Sequence, residues 1–87
     1  RPVSNRPVFV YDSAMNEELD VKGLACPLPV LKAKKRLKGM ASGDVLVVHA
    51  TDPSAVKDFE AFAEFTGHAL LASTQADGVF TFELRRA

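Results

Sequence analysis

The chain has 87 residues, enough for one domain and too few for two. Eleven Lys and Arg balance eleven Asp and Glu, so no overall field draws in nucleic acid or acidic lipid. No apolar run approaches the ~20 residues that cross a bilayer, and a single cysteine excludes an intrachain disulfide.

Residues 1–16 carry Pro2, Pro7 and several small polar side chains, and are expected to form a flexible, dispensable N-terminal segment. Within them Val8-Phe9-Val10-Tyr11 is a short β-like run that a proline precedes. The domain proper is expected over residues 17–87. From Glu18 to Lys22 the chain alternates, Leu19 and Val21 on one side and Glu18, Asp20 and Lys22 on the other, which predicts a half-buried strand. Gly23 ends it and permits the turn into Leu24-Ala25-Cys26-Pro27-Leu28-Pro29.

Proline suits the first turn of a helix, where its missing N–H has no partner to lose. Cys26 is therefore read as the N-cap, with Pro27, Leu28 and Pro29 as the first three helical residues. The Leu28 N–H would then point at the sulfur. A helix N-terminus also favours negative charge, so Cys26 is expected to ionise more easily than a free thiol. The plainer reading, a small apolar residue at a helix start, leaves the two flanking prolines without a purpose.

Helical periodicity runs from Pro27 to about Lys38, with Val30, Ala33 and Leu37 on one stripe. Lys32, Lys34, Lys35, Arg36 and Lys38 make the rest of this helix basic, as a solvated face or a docking face. Gly39 closes it. After the turn at Ser42-Gly43-Asp44, Val45 to Ala50 reads as a strand whose Leu46, Val48 and Ala50 face the helices. Asp52-Pro53 repeats the helix-start signal, with Asp52 as N-cap. Val56, Phe59, Phe62 and Ala63 mark the buried stripe of that helix; Asp58, Glu60 and Glu64 are assigned to its solvated face. Gly67 ends it, His68 to Thr74 and Val79 to Leu84 read as strands, and Ala76-Asp77-Gly78 as their hairpin turn.

The order is βαβαββ. It predicts an α+β two-layer sandwich: a four-stranded mixed sheet with two helices on one face, and Leu46, Val48, Phe59, Phe62, Phe80 and Phe82 in the core. Cys26 falls at a strand-to-helix junction, a common place for a reaction site. His49 and His68 lie far from it in sequence. One cysteine and two histidines give no zinc-ligand spacing, and no phosphate loop or Ser-His-Asp set is present, so neither metal nor cofactor is expected.

Leu19-Asp20, then Gly23-Leu24-Ala25-Cys26-Pro27-Leu28-Pro29, resembles the signature of the TusA family of small sulfur carriers, also called SirA-like proteins. Ser42-Gly43-Asp44, Asp52-Pro53 and Gly67-His68 match at the corresponding intervals, so the resemblance covers about Leu19 to Leu84. It implies that Cys26 accepts sulfane sulfur as a persulfide from a cysteine desulfurase or rhodanese-type donor and relays it to a downstream acceptor protein. Gly23, Pro27, Leu28, Pro29 and Asp20 would shape the site. The protein would be a cytoplasmic relay component more than a self-sufficient enzyme. The resemblance leaves two routes, tRNA thiolation or another sulfur-trafficking pathway; in the branch that thiolates tRNA the residue between the prolines is acidic, where this chain has Leu28. The competing reading is a non-catalytic RNA-binding or regulatory module. Zero net charge and the lack of an aromatic-basic pattern weigh against direct nucleic-acid binding.

Overall fold

The structure is a computed structural model, and it describes residues 16–87. The expectations for Arg1 to Met15, including a strand at Val8 to Tyr11, lie outside the described residues. In chain order the elements are β1 (Asn16–Val21), α1 (Leu28–Lys38), β2 (Val45–Ala50), α2 (Ala55–Thr66), β3 (Ala69–Ala76) and β4 (Val79–Arg85). β1 opens at Asn16, two residues ahead of the sequence expectation.

The sheet runs β1-β2-β4-β3. β1 and β2 are parallel, joined by the α1 crossover, while β4 pairs antiparallel with both β2 and β3. The last strand thus fills the centre and leaves β3 at the edge. Its hairpin turn needs positive φ at Asp77 (53°) and Gly78 (79°), which Asp and Gly adopt most readily. A bulge between Leu70 and Ala72 turns Leu71 outward, 46% exposed.

Both helices cover one sheet face, as expected. Leu46, Val48 and Ala50 point into that layer, each fully buried, and alternate with half-buried Val45, Val47 and His49. Ala33 and Leu37 descend from α1, and Ala55, Phe59, Phe62 and Ala63 from α2. Phe82 and Leu84 complete the core, with Phe80 partly buried at its margin. On the opposite face His49 bridges Glu18 Oε1 and Thr81 Oγ1, both at 3.2 Å.

Both helix starts differ from the sequence reading. At α1 the N-cap is Pro27, with no side-chain capping bond, and Cys26 lies one residue outside the helix. At α2 the helix begins at Ala55, with Ser54 in the capping position. The reason is local: each junction first makes a tight turn, closed by Leu28 N–H to Ala25 O (2.9 Å) and Ala55 N–H to Asp52 O (2.9 Å). Only then does the helical ladder start, with Leu31 N–H to Pro27 O and Asp58 N–H to Ser54 O.

Candidate functional site

Cys26 sits on the loop between β1 and α1, and the start of α2 holds that loop from the side. The Gly23 N–H donates to Thr51 Oγ1 (2.9 Å), and the Cys26 N–H to Asp52 Oδ2 (2.6 Å). Gly23 has φ of +83°, a conformation costly to any residue bearing a Cβ, which explains glycine here. Asp20, on the strand entering the loop, accepts the Lys22 N–H (2.9 Å) and so bonds to backbone away from the sulfur.

Asp52 is the pivot. Besides Cys26 it accepts the Ser54 N–H at Oδ1 (3.2 Å) and the Ser54 hydroxyl at Oδ2 (3.0 Å). These bonds to the charged carboxylate, Ser54 N–H foremost and Cys26 N–H next, hold Asp52 below the usual aspartate range. A depressed value means that the ionised Asp52 secures the loop above the ordinary aspartate pKa, and releases it as pH falls through the lower folded value. In an acid titration followed by NMR, the Cys26 and Ser54 amide resonances should move together, with a midpoint below about pH 4. A midpoint at or above that of an unstructured aspartate would contradict the staple.

The two prolines divide the work. Pro29 is fully buried and belongs to the core; Pro27 is exposed, joined to Cys26 by a cis peptide bond. Packing therefore accounts for one of the two prolines flanking Leu28. Leu28 itself is 45% exposed beside the cysteine.

Cys26 is an exposed free thiol. It borders an open groove of ≈ 420 Å³ lined by Pro27, Val30, Asp58, Ala61, Phe62 and Phe65. The groove is apolar except for the cysteine and one carboxylate. Phe65 is 92% exposed at its edge, with the side chain given to solvent.

The expected easy ionisation of Cys26 is overturned. A hydrogen bond to the Asp58 carboxylate raises its pKa above the ordinary thiol value. Slight desolvation and the Asp58 charge add to this, the Ser54 hydroxyl opposes it, and the Asp52 charge adds a little more. The Leu28 N–H expected to point at the sulfur is taken by Ala25 O instead. Asp58 is the site residue that the sequence reading missed. Its place in the i, i+3, i+4 pattern of α2 assigns it to solvent, but that face of the helix meets the tip of the α1 loop.

The remaining candidates lie elsewhere. His68 Nδ1 accepts the Ala87 N–H (3.0 Å), and Arg36 pairs with Glu17 (3.2 Å). Among the described residues no group of three His, Cys, Asp or Glu could hold a metal, and no helix is long and apolar enough to cross a membrane.

Residues 17–86 match the family described as sulfurtransferase TusA. The sulfur carrier protein TusA of Allochromatium vinosum is 53% identical over 72 residues, covering 83% of this chain and 95% of its own length. A Neisseria meningitidis protein is 61% identical over 66 residues, 76% of this chain and 89% of its own. The crystal structure of a SirA-like protein from Desulfitobacterium hafniense superposes with a TM-score of 0.71 at 27% identity, covering 82% of this chain and 96% of that one. Fold, motif and sequence agree, and the chain belongs to the TusA family.

Proposed function

We propose that the protein is a sulfur carrier that accepts sulfane sulfur as a persulfide on Cys26 and hands it to the cysteine of an acceptor protein. The observation that carries this reading is the exposed thiol, fixed by its own backbone to Asp52 at the mouth of an apolar groove. In loading, the Cys26 sulfur attacks the outer sulfur of a donor persulfide. A new S–S bond forms on Cys26, the donor's S–S bond breaks, and the donor cysteine leaves as a thiol. Delivery is the same exchange with Cys26 as the leaving group.

The protein's contribution is position. The two staples, Gly23 to Thr51 and Cys26 to Asp52, hold the loop so that the sulfur projects outward and two partners can reach it in turn. Donor and acceptor are proteins whose own cysteines must approach over Leu28 and Phe65, so each must present an apolar rim. A persulfide that meets no second thiol in its own chain is spared discharge as sulfide, and Cys26 is the chain's one cysteine. A reducing cytoplasm, where a free thiol persists, suits this role.

Incubation with a cysteine desulfurase and cysteine, followed by intact mass measurement, should add the mass of one sulfur atom, removed by a reductant. No added sulfur under conditions in which the desulfurase is active would reject the proposal.

A further inference from the structure

The carboxylate in the groove accepts none of the backbone hydrogen bonds that hold the loop. Both oxygens of Asp52 are engaged, Oδ1 by the Ser54 N–H and Oδ2 by the Cys26 N–H and the Ser54 hydroxyl. Asp58, by contrast, is reached by the Ser54 hydroxyl only at 3.4 Å, at Oδ2, accepts from the Cys26 thiol, and lines the same groove as Cys26. The other groove residues, Pro27, Val30, Ala61, Phe62 and Phe65, are apolar. The charges acting on the sulfur are those of Asp58 and Asp52, and both are negative.

A carrier alternates between two charge states. The empty thiol is neutral near pH 7. A persulfide is more acidic than its parent thiol, and carries its negative charge on the outer sulfur. A neighbouring carboxylate accepts a hydrogen bond from the thiol but repels the persulfide anion. We propose that Asp58 is a discharge residue: lining the same groove as Cys26, it favours the empty cysteine over the loaded persulfide and so biases the carrier toward giving up its sulfur. This rests on the sulfur-carrier reading above and deepens it.

The exchange to be measured is balanced without an oxidant. The persulfide anion of glutathione and the Cys26 thiol give glutathione thiol and the Cys26 persulfide anion. One S–S bond breaks and one forms, and the Cys26 proton ends on the glutathione sulfur. At fixed glutathione persulfide and glutathione under anaerobic conditions, the loaded fraction read by intact mass gives the equilibrium constant directly.

Asp58→Asn should raise that constant by about two- to fivefold, the size of an exposed pairwise charge effect. Asp58→Glu should remain near wild type, because the charge is kept. The difference between Asp58→Asn and wild type should shrink in high salt, which screens an exposed charge, and in acid, where the persulfide itself becomes neutral. A merely structural role for Asp58 would produce neither trend. Matching circular-dichroism spectra of the three proteins establish that the fold is intact. If wild type loads and Asp58→Asn loads to the same level or less, the inference about Asp58 is overturned and the carrier reading stands. An equal rise in both variants also overturns it. If wild type takes no sulfur from glutathione persulfide, both the inference and the carrier reading fail.

Discussion

Cys26→Ser and Cys26→Ala should both lose sulfur loading completely while keeping the fold. A hydroxyl or a methyl cannot hold a persulfide, so no carrier species can form. The two replacements should also melt at the same temperature as the parent. Reading Cys26 as an N-cap would make serine benign and alanine costly, because losing a cap costs about 0.5–2 kcal/mol. The structure removes that distinction: the N-cap is Pro27, no side chain caps α1, and the Cys26 side chain is exposed. Its structural role is carried by the backbone N–H, which every replacement except proline retains. The check combines a desulfurase, radiolabelled cysteine and thermal melts. Reductant-releasable label on either variant would place the sulfur elsewhere, and a melt lowered only for alanine would restore the capping role.

Phe82→Ala should be the most damaging single change to the fold. The side chain is fully buried on the central strand, and its ring lies 4.7 Å from that of Phe59, tilted by 30°. Phe59 in turn meets Phe62 edge-on, with centroids 6.3 Å apart. Truncating a buried phenylalanine costs about 3–5 kcal/mol, through lost burial and the cavity left behind. That is a large share of the ~5–15 kcal/mol that holds a whole domain together. In urea the midpoint should fall by at least about 1 M, from the usual dependence for small proteins. Phe65→Ala is the control, since a side chain 92% exposed contributes little to burial. Equal losses in the two variants would mean that the core has been misplaced.

What the sequence conveys well is periodicity. Leu46, Val48 and Ala50 alternate on one strand, and Phe59, Phe62 and Ala63 recur on one helix. Burial follows these patterns because each needs only the geometry of its own element. The site is legible in part. Gly23 and Cys26 mark the loop, but the partners that fix it, Thr51 and Asp52, come from a junction 26 and more residues away. Asp52 looks like a capping residue because Asp before Pro usually is one. Here the same oxygens close an Asx turn onto Ser54 and reach across to Cys26. Asp58 is harder still. A helical wheel assigns it to water, and only the crossing of α2 past the α1 loop brings it to the sulfur. The acidity of Cys26 escapes the sequence for the same reason: the helix terminus is visible there, the carboxylate beside the sulfur is not.

The two carboxylates around the sulfur bear on how long such a carrier survives in air. Peroxide attacks thiolates, leading through sulfenic acid to sulfinic and sulfonic acids that ordinary reductants do not reverse. A cysteine fully open to solvent at a helix entrance would ordinarily be a ready target. With Asp58 and Asp52 favouring the protonated thiol, the accessible sulfur offers little thiolate to peroxide. The arrangement separates reachability from reactivity: whatever meets this sulfur, oxidant or partner, meets mostly thiol until a base takes the proton.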